Sequence, residues 1–370
     1  MLYNNLTEVT YQKVEDGKGQ YEWIDGNQNE VIDINSSEDF HLSENGNYEL
    51  ITYSDALKEI SFSFYFFVWI SVALLMVVLR VFAYILRLKI LTSGDLSWKQ
   101  CFRVIVLWEF SSAITPSVVG GAAPAVYFIS REKIPVGKAS AIVMVTALLD
   151  ELFYVIMVPL IILFIGTKNL FPVSLEKEVF GVVLGTKGIF IAGYSFILIL
   201  ISIIIYAIFI NPKTFRRILA GIFKIGFLKR WRRGAIQAGD DIIITSREMK
   251  DKPFSYWVKA FGATFLSWTA RFWVVNFLIL SINPDLTQHL LVYGRQLVMW
   301  VILLISPTPG SSGVAEFAFS GFLSDFIPPL LVGSLAIIWR LLSFYIYIFA
   351  GTIILPRWLR ATSKKRTAVQ

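Results

Sequence analysis

The chain has 370 residues, 55% of them hydrophobic and only 16% charged, with a net charge of +7 and a mean hydropathy of +0.62. Soluble domains carry about 25% charged residues, so the composition excludes a disordered chain, a fibrous chain and most soluble enzymes, and predicts an all-α polytopic membrane protein. The charge is unevenly spread: residues 1–59 hold 13 acids and 3 lysines, and the rest of the chain is basic.

The N-terminal segment, residues 1–59, is acidic and polar. It contains strand-like patches such as YEWIDGNQNEVIDI with turn residues between them, and a small β-rich unit outside the membrane is expected. A spanning helix needs about 20 mostly apolar residues. The first such run is 62–86. Residues 102–130 follow, apolar but broken by Pro116, Gly120 and Gly121. Whole spans are expected again at 139–165 and 189–210. Residues 211–255, with FRRILAGIFKIGFLKRWRR, read as a basic amphipathic loop on the inner leaflet, where basic clusters attract anionic lipid. A further span covers 256–280. A second broken run, 290–326, is interrupted by Pro307, Pro309, Gly310 and Gly313. The last span is 330–355, and 358–370 form a basic tail.

Proline removes a backbone donor and clashes with the preceding turn, and glycine permits conformations closed to other residues. Each broken run is therefore expected to be two short helices around an unwound junction, tolerated at membrane depth only inside protein or beside a wet cavity. Basic residues concentrate in 87–103, 131–138, 211–259 and 357–370. The positive-inside rule places these in the cytoplasm. The parity then closes with five full spans and two re-entrant hairpins of opposite orientation, the N-terminal segment outside and the C-terminus inside the cytoplasmic membrane. TPSVVGGAA (115–123) aligns without gaps with TPGSSGVAE (308–316), which raises the prospect of an inverted repeat of the kind transporters use.

Charges inside apolar runs are costly and usually face a cavity or one another. Here they are Arg80, Glu109, Asp150, Glu151, Arg271, Arg295, Glu316 and Arg340. The carboxylates either line a polar path or pair with the arginines. The arginines either hold a phosphate bidentately or neutralise the acids. Asp150 and Glu151 are about 100° apart on a helix, so one is expected to point inward and the other to pair with a neighbour or sit shallower. Helix N-termini after the breaks suit an anion. Gly120, Gly121, Gly310 and Gly313 permit close approach there, and Thr115, Ser117, Thr308, Ser311 and Ser312 add hydroxyls beside Pro116 and Pro309. The alternative is that these small residues only allow tight helix packing.

Cys101 is the single cysteine, and His41 and His289 are the only histidines, so no metal site is expected. No nucleotide-binding fingerprint is present, and no cofactor is expected. Basic groups dispersed between apolar runs do not suit nucleic acid.

LWEFSSAITPSVVGGAAPAVYFISREKIPVGKASAIVMVTALLDELFYVI and SPTPGSSGVAEFAF resemble the lysylphosphatidylglycerol synthase transmembrane (flippase-type) family over roughly residues 62–357. The first matches that family's P-x-x-x-G-G break, short basic loop and apolar helix with a buried acid; the second matches its P-x-P-G-x-x-G-x-x-E break. The resemblance implies a domain that moves lipids between leaflets, with anionic or aminoacylated phospholipids as partners. The two-part synthases continue into a soluble aminoacyl-transfer domain, whereas this sequence stops at Gln370, so lysyl transfer is not expected and the chain is expected not to be an enzyme. Family members usually begin with an apolar span, so an upstream first helix is expected to deliver residues 1–59 outward. The rival functions are a secondary transporter of a small ion or metabolite and, less favoured, an intramembrane hydrolase. The latter is opposed by the isolation of His289 and by the absence of aspartate in either break.

Overall fold

The computed structural model describes residues 9–14, 18–25, 39–52, 63–115, 121–172, 176–179, 182–224, 226–304 and 308–367. Strands β1 (Val9–Lys13), β2 (Gly19–Trp23), β3 (Phe40–Gly46) and β4 (Tyr48–Thr52) form an antiparallel sheet in the order β1-β4-β2-β3. Its small core is aromatic: Tyr11 stacks on Phe40 at 4.0 Å, and Tyr48 meets Phe40 edge-on.

Five helices are long and apolar enough to cross a membrane: α1 (Phe64–Leu91), α4 (Val136–Ile165), α5 (Thr186–Ile210), α8 (Phe254–Ile282) and α11 (Pro329–Arg360). They coincide with the five runs expected from hydropathy, and the chain is a multi-pass, all-α membrane protein. Helix α1 runs one turn further than its apolar stretch, taking in Arg87 and Lys89, which the sequence reading assigned to a loop.

The two broken runs each fold as two short helices. The first gives α2 (Trp98–Ile114) and α3 (Ala122–Arg131). Ser97 starts α2 with a capping box, accepting from the Gln100 amide while its own N–H donates to Gln100 Oε1 at 2.9 Å. Gln100 Nε2 reaches Glu132 Oε2 at 2.9 Å, and Gly121 abuts Ser112, so α2 and α3 are antiparallel legs of a hairpin. The second run gives α9 (His289–Leu303) and α10 (Val314–Leu323). Arg295 Nη1 donates to Phe322 O at 3.0 Å near the base, and Ser311 lies by Leu303 at the tip.

The hairpins open at opposite ends of the bundle. At one end Lys138 pairs with Asp95, Lys252 donates to Ser93, and Trp358 donates to Glu132. This end gathers the basic loops. At the other, Asn283 donates to Phe326 O and Arg295 to Asn169 O, and Ile51 of the sheet packs there on the main apolar core. Between the strands β5 (Glu176–Val179) and β6 (Val182–Gly185) and the basic end run α5, then α6 (Pro212–Ile222) and α7 (Arg232–Lys250). Helix α7 packs on α4, with Ser140 donating to Asp241 and Thr245 to Met144 Sδ.

Candidate functional site

A cavity of about 340 Å³ lies where the two hairpin tips meet. The first hairpin supplies Glu109, Ser112 and Gly121, the second Trp300, Thr308, Gly310 and Ser311, and α4, α8 and α11 supply the remaining wall. Its lining is mixed, with Trp108, Trp268, Trp300 and Tyr347 among polar and charged groups.

Charges cluster on this wall. Arg80, buried in α1, donates to Glu109 Oε2 at 2.9 Å and to Ser343 O at 3.2 Å. Ser343 lies in a π-helical turn, Leu341–Tyr345, that interrupts α11 just after Arg340; such turns are frequent at functional sites. Arg87 holds Asp150 through both terminal nitrogens, at 2.5 and 3.3 Å, and Trp268 Nε1 donates to the same carboxylate at 2.7 Å. Arg340 donates to Glu316 Oε1 at 2.8 Å, to Gly310 O at 2.9 Å and to Ser312 Oγ at 3.2 Å. Both halves of each pair are largely removed from solvent. A buried arginine–carboxylate pair fixes relative position, because losing either partner strands the other charge.

Two charges on the cavity stand outside these pairs. Arg271 makes no hydrogen bond or ion pair among the described residues. Its guanidinium lies 3.9 Å from the Trp300 ring and 5.3 Å from the Trp268 ring, and its Nε is buried without a partner. Glu151 likewise has no partner among the described residues, with Oε2 buried.

The second break is shaped from within. Gly310 has φ 55° and Gly313 φ 83°, left-handed values that favour glycine. A Cβ on Gly310 would also strike the Phe344 ring. Glu316 reaches back to the Gly313 N–H at 2.7 Å, so the α10 N-terminus is capped by its own helix, and this N–H is not offered to a ligand.

Of the expected site residues, Glu109, Gly121, Asp150, Glu151, Arg271, Thr308, Gly310, Ser311 and Arg340 line the cavity together. Asp150 and Glu151 both do so, and Asp150 is the one that also pairs with a neighbour, Arg87. Glu316, Ser312 and Gly313 stand behind the wall as the scaffold of the break. Thr115 turns back to Ser111 O at 2.6 Å. Arg295 is remote, tied to Asp325, Asn169 and Phe322. The backbone of Pro309 begins the short turn of the second break. Pro116, Ser117 and Gly120 lie outside the described residues. Arg87, which sequence reasoning missed, is the partner of Asp150. Its place at the end of an apolar run hid it among loop charges.

This arrangement of five spans and two tip-to-tip hairpins around a charged cavity defines a polytopic membrane protein with a broken-helix core. Residues 53–351 match the family described as lysylphosphatidylglycerol synthase TM region, and the chain belongs to that family. It is also similar to a UPF0104 membrane protein of Archaeoglobus fulgidus, with 24% identity over 280 residues covering 72% of this chain and 80% of the relative. No solved structure matches the chain.

Proposed function

We propose that the protein is a flippase-like lipid transporter of the cytoplasmic membrane, with the N-terminal sheet outside and the C-terminus inside. In this reading the hairpins are re-entrant, and a polar lipid headgroup enters the cavity between their tips while the acyl chains stay in lipid. Anionic or aminoacylated phospholipids are the substrate classes that family membership brings forward. The observation that carries the reading is Arg271. It is held over two indoles on the cavity wall with no carboxylate of its own among the described residues, whereas Arg80, Arg87 and Arg340 each have one. A planar guanidinium in that position suits a phosphate. Binding rather than bond-making is the chemistry proposed, and Glu109 and Asp150 are each already engaged by an arginine. Opposed hairpins suit alternating exposure of one central site to the two leaflets.

A second reading, a transporter of a small ion or metabolite, is favoured by the cavity's size, about 340 Å³, at the low end of small-molecule pockets. The test is transbilayer exchange of fluorescent phospholipids in proteoliposomes. Acceleration by the full chain, reduced about tenfold or more in Arg271→Gln as for loss of one charge-assisted phosphate contact, is expected. No acceleration with any phospholipid, alongside solute uptake that depends on Arg271, overturns the lipid reading in favour of the second.

A further inference from the structure

From the charge balance of the cavity we infer that its ligand is a net-neutral zwitterion, a phosphate diester and one ammonium group, with Arg271 taking the phosphate and Glu151 the ammonium. The inference rests on the headgroup-binding reading above and narrows it. Among the described residues, four arginines and four carboxylic acids belong to the cavity and its wall. Three pairs cancel within the protein: Arg80 with Glu109, Arg87 with Asp150 and Arg340 with Glu316. One arginine, Arg271, and one carboxyl group, Glu151, remain, and both line the cavity.

The two leftovers do not satisfy each other, since no ion pair joins them. The buried Tyr154 lies one turn from Glu151 and also lines the cavity. An unpaired buried charge is costly. The indoles offset part of that cost for Arg271, but nothing among the described residues does so for Glu151. Asp150 cannot serve in its place, because Arg87 and Trp268 already occupy its oxygens. A ligand with one negative and one positive group satisfies both leftovers at once. An anionic phosphoglycerol headgroup would leave Glu151 facing a negative ligand. A lysyl-bearing headgroup would bring a second cation with no carboxylate left to receive it.

Calorimetric titration of the detergent-purified full chain with short-chain phosphatidylethanolamine, phosphatidylglycerol and lysylphosphatidylglycerol tests this. Phosphatidylethanolamine is expected to bind tightest, by about tenfold, the scale of one charge-assisted contact. Glu151→Gln, nearly isosteric, is expected to abolish that preference and leave phosphatidylglycerol bound as well or better. Arg271→Gln is expected to weaken all three. Free glycerophosphoethanolamine identifies the source of the zwitterion: weak binding supports a lipid, and binding as tight as the lipid's supports a soluble zwitterion in the same site. If phosphatidylglycerol or the lysyl lipid binds wild type at least as tightly as phosphatidylethanolamine, or Glu151→Gln keeps the ranking, the zwitterion assignment is overturned while Arg271-dependent headgroup binding still stands. Failure of all phospholipids to bind overturns both.

Discussion

Arg340 and Glu316 are joined at 2.8 Å across the second hairpin, and the same guanidinium donates to Gly310 O at 2.9 Å. One side chain from α11 thus holds both the carboxylate that caps α10 and the carbonyl freed by the break. In the first hairpin, Arg80 from α1 holds Glu109 at 2.9 Å. In both halves an arginine from a spanning helix fixes a hairpin through its acid, so the tips are held where they form the cavity.

Glu316→Ala should therefore damage the second tip doubly, removing the Gly313 cap and stranding Arg340. Loss of one partner of a buried pair costs about 3–5 kcal/mol. Thermal unfolding of the purified protein in detergent should show a large drop in Tm, while Asp325→Asn, whose carboxylate is half-exposed, should change it little. Equal effects of the two would remove the special role given to Glu316.

The Arg87–Asp150 pair makes a separate prediction. A double-mutant cycle with Arg87→Gln and Asp150→Asn should give a coupling energy of about 1–3 kcal/mol, because the residues share one network. The double variant should be more stable than the sum of the two single losses predicts. Additive effects would mean that the two do not act as a pair.

Close packing of the first hairpin is tested at Gly351. A Cβ there would overlap the Phe110 ring on α2, so Gly351→Ala should destabilise by about 1–3 kcal/mol, as overpacking does. Gly333, in the same spanning helix α11, has nothing within 4 Å of its would-be Cβ. Gly333→Ala should be neutral or stabilising, by up to about 1 kcal/mol of helix propensity. Melting curves for the two variants should shift in opposite directions or differ clearly in size.

Asp241 lies on α7, outside the spanning helices. Burial raises its carboxyl above the usual aspartate value, Asp240 adds to the rise, and the hydrogen bond from Ser140 opposes it. The folded state then keeps this proton to higher pH than the unfolded chain does. The resulting stability is fully present below the unfolded value of about 4 and is lost as pH rises through the raised folded value. Asp241→Asn should accordingly raise Tm at neutral pH and do little at acidic pH. A shift of the same size at both would refute the assignment.

Much of this was legible in the chain itself. Runs of about 20 apolar residues announce spans whatever their neighbours are, and all five appear within a few residues of their expected bounds. Pro and Gly clusters announce broken helices because their backbone limits are local. Arg271 and Glu151 could be listed as candidates since a charge within an apolar run is conspicuous by itself.

Which charges pair could not be read in the same way. Arg87 and Asp150 are 63 positions apart, and only the packing of α1 and of α4 on α8 brings them together. Local sequence carries no trace of that contact, so Arg87 looked like a loop charge and Arg295 like a site residue. The sequence by itself determined that this is a membrane protein with five spans and two breaks, because hydropathy and backbone stiffness are properties of short segments. Only the tertiary structure decided that the breaks meet at one cavity and that Arg271 and Glu151 are left over on it, because charge compensation depends on distances between helices.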